Sequence, residues 1–201
     1  MPLQLDMQHA LYITKKEDLD LISDRFSRLY FGSEFCEHLI PDENFLINVI
    51  SIARDNNLDF SLNTPWCSDF GVKKIKKILE ILPEGSEVVF NDFGVLCEIL
   101  KYKLIPVMGR LLVSAKRDPR KNFQKKYSEY LQTSNLNNTE FQKYLIDNNI
   151  YRVDIDNVFE GYNFLLNKKI KTSLHYPYVY ITTSRKCFFG NCSYGHKHDG
   201  E

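Results

Sequence analysis

The residues best able to do chemistry in this chain are its five cysteines, Cys36, Cys67, Cys97, Cys187 and Cys192. Cys187 and Cys192 bracket the tetrapeptide FFGN, and His196 and His198 follow closely. Gly190 allows a tight backbone fold there, so two thiolates could face one centre. A zinc reading takes Cys187, Cys192 and His196, with Cys36 as the remaining ligand. An iron–sulfur reading takes the thiolates of Cys36, Cys187, Cys192 and one more. Cys67 follows Trp66 at the start of a loop and reads either as a packing thiol or as a ligand. Cys97 lies in GVLCEIL, among apolar residues at helical spacing, and is expected in the core. An odd number of cysteines disfavours a fully paired disulfide framework.

The polar candidates fall where apolar runs end. Asn63 closes DFSLN, and Asn91 and Asp92 follow SEVVF. Arg110 comes directly after Gly109, where its planar fork could hold a carboxylate or phosphate by paired bonds. Lys116, Arg117 and Arg120 continue that stretch and fit a solvated loop. Asp154 and Asp156 stand two apart in RVDIDN, on one face of a strand, where they could bind a metal, move a proton or pair with an arginine. No HExxH segment and no arrangement of nucleophile with base is visible, so no catalytic residue is assigned.

These residues need a scaffold that gathers strand ends. ALYIT, RLYFGS, DFSLNT, SEVVFND, LIPVMGRLL, YRVDID and YPYVYITT read as strands. Between them KKEDLDLISDRF, PDENFLINVISIARDNN, SDFGVKKIKKILEILP, FGVLCEILKYK, TEFQKYLIDNN and VFEGYNFLLNK read as helices. Alternation of this kind predicts an α/β fold with parallel strands. Seven such units suit a TIM-like (β/α) barrel, complete or incomplete, better than a doubly wound sheet. Neither GxGxxG nor a Walker A segment supports the doubly wound alternative. Residues 1–201 read as one domain, with a long polar loop or insertion at about 114–139. The cysteine-containing segment 184–201 is expected to fold over the barrel mouth, because Phe188 and Phe189 would want cover.

Composition narrows the partners. Equal numbers of acidic and basic residues give zero net charge, which removes the footprint of a general nucleic-acid binder and leaves only a local basic patch. No apolar run approaches a membrane span, and MPLQLDMQHA lacks the basic start and apolar stretch of a secretory signal. A cytoplasmic, reducing location is expected, where cysteines serve as thiols or metal ligands.

Taken in order, LYIT-KKEDLDLI, RLYFGSEFC, FSLNTP, VVFNDFGVLCEI, LIPVMGRLL and TSRKC followed by another cysteine resemble the collagenase-like peptidase superfamily, family U-thirty-two. The chain is most similar to its iron–sulfur branch, the UbiU- and UbiV-like proteins of oxygen-independent ubiquinone synthesis. The resemblance runs from about Leu11 to Cys192 and is one of motif order. It implies a TIM-like barrel, a [4Fe–4S] cluster, and oxygen-independent hydroxylation or a related redox modification of a small or nucleic-acid substrate. Cys36 and Cys187 match cluster cysteines, Cys192 matches a following ligand at shorter spacing, and Cys67 could stand in as the fourth. On this reading Arg110 anchors an anionic small molecule or RNA, and Asn63, Asn91, Asp92 and Asp154 line the pocket. A related barrel subunit would be the hetero-oligomer partner. The alternatives are a peptidase-like hydrolase without a cluster, and a non-enzymatic binding module with a structural zinc.

Overall fold

The computed structural model describes residues 7–116 and 129–183. Seven strands form one sheet in sequence order: β1 (Ala10–Ile13), β2 (Arg28–Gly32), β3 (Asp59–Asn63), β4 (Glu87–Phe90), β5 (Ile105–Met108), β6 (Arg152–Asp156) and β7 (Lys171–His175). Every neighbouring pair is parallel. Sequential order without a switch point is a barrel wall, so the fold is an α/β, incomplete TIM-like barrel with seven strands among the described residues. β1 and β7 do not pair, yet the curl brings their inner faces together. The Tyr30 hydroxyl lies 3.3 Å from Ser173 Oγ, and the Tyr12 and His175 ring centroids are 6.0 Å apart.

Alternation along the strands sorts the side chains. Leu29, Phe31, Leu62, Val88, Phe90, Met108, Val153 and Ile155 point outward and are buried under the helices. The inward positions are polar or aromatic, with Tyr30, Val89 and Val107 forming a small separate cluster beside Tyr12. Among the described residues the outside is covered by α1 (Glu43–Asp55), α2 (Asp69–Ile81), α3 (Phe93–Ile99) and α4 (Thr139–Asp147). Each opens on a capping side chain: Asp42, Ser68, Asp92 and Asn138 accept from the first backbone amides. α1 and α4 end alike, on Asp-Asn-Asn. Asn57 and Asn149 take positive φ (55° and 60°), and the following amides of Leu58 and Ile150 reach back 2.8 Å to Ala53 and Leu145. That left-handed stop turns each helix directly into the next strand.

Three elements differ from the sequence reading. KKEDLDLISDRF forms only a 3-10 stretch, Lys16–Leu21, and buries no side chain that would reward a longer helix. VFEGYNFLLNK is not helical. Gly161 sits at φ +70°, and the segment's backbone is satisfied from outside by Gln132 on Glu160, Asn137 on Asn163, and Gln142 on Leu165 and Asn167. The last strand is KTSLH rather than YPYVYITT, which follows it as irregular chain. With no helix after it among the described residues, β7 leaves Leu174 56% exposed. Of the expected loop at 114–139, residues 117–128 lie outside the described residues, as does the segment 184–201. The remainder of the loop is tied down: Asn135 bonds both Ser114 and Leu112. No helix among the described residues is long and apolar enough to cross a membrane.

Candidate functional site at the barrel mouth

The strand C-termini bring Asn63, Asn91, Arg110, Asp154 and Asp156 to one end of the barrel or just inside it, with Cys36 on the loop after β2. The arrangement starts from a glycine. A Cβ on Gly109 would lie 2.1 Å from Asn91 Oδ1, so only glycine leaves room for the Asn91 amide. Asn91 is then fully used: its Oδ1 accepts from Leu111 N (3.1 Å), and its Nδ2 donates to Thr64 O (2.8 Å) and Asn63 Oδ1 (3.2 Å). Because backbone groups fix Asn91, they also fix Asn63, whose oxygen must face Asn91 and whose Nδ2 must face away. That Nδ2 is buried and completes no hydrogen bond of ordinary geometry. It lies against the Tyr12 phenol on the inner wall.

Arg110 is 7% exposed and closes its fork on this chain's own Glu34. Nε reaches both Glu34 oxygens (3.1 and 2.9 Å), and Nη2 reaches Oε2 at 2.6 Å. Nη1 donates to Asp156 Oδ1 (2.8 Å) and Tyr178 O (3.3 Å). Phe35 and Tyr180 flank the guanidinium, with ring centroids 5.6 and 5.8 Å away. Burial alone would lower its basicity, but the bonds and charges of Glu34 and Asp156 more than offset that and hold it above the ordinary arginine value. The arginine expected to grip a substrate anion is thus engaged by two protein carboxylates.

Asp154, fully buried, faces His175 across the β6–β7 pair, with Oδ2 3.0 Å from Nε2. Tyr30 donates to its other oxygen at 3.3 Å. The rings of Tyr12 and Tyr30 meet the imidazole edge-on, each at 6.0 Å. Burial first, then the Glu34 charge, raises the Tyr12 phenol well above its ordinary range, so it remains a donor at any physiological pH. Burial and the Asp154 charge do the same to Tyr30. His175, Tyr12 and Tyr30 are absent from the sequence-derived set. His175 hides because it falls just before the aromatic run YPYVYITT that composition favours as the last strand. The available signal was the alternation of KTSLH, in register with RVDID, which sets His175 beside Asp156.

The other candidates divide. Asp92 caps α3, accepting from Gly94 N at 2.7 Å. Cys97 lies on the exposed side of α3, a correction to its expected core position, because Val95, Leu96 and Ile99 make the buried stripe. Cys36 is half-buried. Its loop is joined to the next one, with Trp66 N on Glu34 O (3.3 Å) and Ser68 N and Oγ on Glu37 (both 2.8 Å). Cys67 therefore sits close by, but its environment suits packing. It is buried and donates to Pro65 O at 3.2 Å, and burial, then Glu37 and Asp92, push its thiol up to about 12. A cluster ligand must be a thiolate, which these neighbours oppose. Among the described residues no group of three or more side chains is placed to hold a metal. Cys187 and Cys192 lie outside the described residues.

Comparison of the chain with protein-family models, curated proteins and solved structures returned no match.

Proposed function

We propose that this chain is a barrel protein that binds a small polar ligand at the C-terminal mouth and acts in oxygen-independent hydroxylation or a related redox modification. The observation that supports ligand work there is the set Glu34–Arg110–Asp156 with Asp154–His175. Burying that many charges costs free energy that well-packed apolar residues would not, and such sets gather at functional sites. Cys36 rises from the same end, and the family resemblance makes it a cluster ligand together with Cys187 and Cys192. A cluster would supply one-electron chemistry. Of the described thiols Cys36 stands half-buried at this end, with Cys67 buried close by and donating to Pro65 O. What the described residues do is orient: Asn91 aims Asn63, Asp154 orients His175, and Glu34 with Asp156 fixes Arg110.

The test is protein purified without oxygen. Brown protein with iron and acid-labile sulfide in similar amounts is expected. Cys36→Ser should abolish the colour and Cys97→Ser should leave it. Colourless protein carrying one zinc would replace this reading with a structural-zinc binding module.

A further inference from the structure

We infer that the outer face of α2 docks on an anionic lipid bilayer, its lysines meeting the headgroup charge and Phe70 entering the interfacial layer. The inference concerns the flank of the barrel and does not depend on a metal centre at the mouth.

The face follows from the helix's own sequence, DFGVKKIKKILEI. Gly71, Ile75, Ile78 and Leu79 make the buried stripe. At 3.6 residues per turn, Lys73, Lys74, Lys76 and Lys77 fall on the opposite side, within an arc of about 160°. Lys73, Lys76 and Lys77 are exposed, and Lys74 is half-buried, its Nζ 4.8 Å from the centroid of the Phe70 ring. Phe70 lies within the same arc and is 54% exposed. A face that served solubility alone would mix its signs. Here Lys73 with Lys76, Lys73 with Lys77, and Lys74 with Lys77 are like charges at the spacings where side chains meet, an arrangement that weakens a helix until an anion arrives.

Among the described residues none of the four lysines forms an ion pair or a hydrogen bond. The acids around them are at the margins or engaged. Asp69 stands in the first turn, and Glu80 accepts from the Tyr102 hydroxyl at 3.2 Å. Asp42 and Glu43 face Lys74 and Lys77 across a surface groove, where Asp42 is committed to capping α1 through Phe45 N at 2.9 Å. Residues 1–6, 117–128 and 184–201 together hold more basic than acidic groups, so they bring no surplus of acid to the face.

Three features select a bilayer among anionic partners. The face is the convex side of a helix, with about 6 Å of rise between Lys73 and Lys77, and it meets a plane of charge better than it tracks a single strand. All four cations are lysines, whose compact ammonium suits diffuse headgroup charge, whereas paired recognition of individual phosphates in a nucleic acid favours arginine. An exposed aromatic ring inside a lysine field is the combination that seats helices in the headgroup layer. Attachment would be peripheral, since no helix among the described residues is long and apolar enough to span a membrane.

The test is cosedimentation of the full chain with vesicles of phosphatidylcholine mixed with phosphatidylserine, and with vesicles of phosphatidylcholine alone. The chain should bind the mixed vesicles only, and added salt should release it. Lys73→Gln with Lys77→Gln should weaken binding roughly fivefold for each lysine removed. Phe70→Ala should weaken it as well, with the salt dependence unchanged. Lys168→Gln with Lys169→Gln removes equal charge from exposed positions elsewhere and should leave binding as in the parent. The replaced lysines at 73, 77, 168 and 169 are exposed, and urea midpoints check that each variant keeps its fold. The inference is overturned if the parent ignores the mixed vesicles, or if the pair at 168 and 169 weakens binding as much as the pair on α2. Polyuridylate binding that the α2 pair abolishes, with no vesicle binding, would overturn it too and give the face to nucleic acid. The colour of anaerobic protein is independent of these lysines, so the cluster and the membrane face stand or fall separately.

Discussion

The two ends of this barrel treat buried charge differently. At the N-terminal end Arg28 and Arg152 share Glu87, Ser61 donates to the same carboxylate at 2.6 Å, and Asp59 takes Arg28 at 2.8 Å. Two cations meet two anions, and only Arg152 Nε lacks a partner. At the C-terminal end three carboxylates surround Arg110 and His175, and the buried Asn63 Nδ2, against the Tyr12 phenol, completes no hydrogen bond of ordinary geometry. The lower set is a closed account that ties β2, β3, β4 and β6 together. The upper set keeps hydrogen-bonding capacity in hand. That asymmetry matches the division in TIM-like barrels between a stabilising face and a face that binds and reacts.

The sharpest way to break the comparison is to remove the cation from the upper set. Arg110→Ala would strand Glu34 and Asp156, both fully buried, and should cost about 3–5 kcal/mol of unfolding free energy in urea. Arg110→Lys keeps charge but loses the fork, and should cost about 1–3 kcal/mol. A loss from Arg110→Ala below that of Arg110→Lys would show that the ion set does not hold the mouth together.

The lower set should yield less. Glu87→Gln removes the carboxylate shared by two arginines, but these side chains are 12–17% exposed and water can reach the freed guanidinium groups. A loss of about 1–3 kcal/mol is expected, below that of Arg110→Ala. A loss as large as that of Arg110→Ala would mean that the two ends are one coupled network.

Much of this frame was legible beforehand, for physical reasons. Six of the seven strands follow from short β-branched or aromatic runs, all but the first ending in Asn, Asp or Gly, and the sequential barrel follows from their alternation with amphipathic helices. The failures have causes too. YPYVYITT is aromatic and β-branched enough to outbid KTSLH on composition, although the polar strand is the one that pairs with β6. VFEGYNFLLNK carries helical spacing, but its backbone bonds go to Gln132, Asn137 and Gln142, which no local pattern announces. Arg110, Asp154 and Asn63 were found because strand ends can be read from sequence. Two of their partners, Asn91 and Asp156, stand in the same set, whereas His175 does not, since it reaches Asp154 only through the pairing of β7 with β6.

A weaker test uses alkali. The Cys67 thiol would ionise near 9 in the unfolded chain and is held protonated to about 12 in the fold. The folded state therefore binds the extra proton across that window, and stability falls as pH rises through it. Tyr12 and Tyr30, also raised by burial, act in the same direction at the upper end. Urea midpoints should decline steadily from about 9 upward, less so in Cys67→Ala measured against its own neutral midpoint. A flat profile would return Cys67 to the list of candidate thiolates. Alkylation gives the same ordering by another route: the exposed Cys97 should label before Cys36, and Cys67 last.

The smallest effect falls on Asp92, which separates structural from functional duty at the mouth. From sequence it is a pocket residue; in the fold its carboxylate accepts from Gly94 N at 2.7 Å and starts α3, a helix of seven residues. A short helix leaves few amides to share the loss of its cap, so Asp92→Ala should cost about 1 kcal/mol. Asp92→Asn retains an acceptor oxygen and should cost only a few tenths. If Asp92 is a cap alone, both variants keep the colour of the anaerobic parent and differ only in urea midpoint. If Asp92→Asn holds its stability yet loses that colour, the carboxylate charge serves the mouth as well as the helix. The mouth would then extend past Asn91 onto the start of α3.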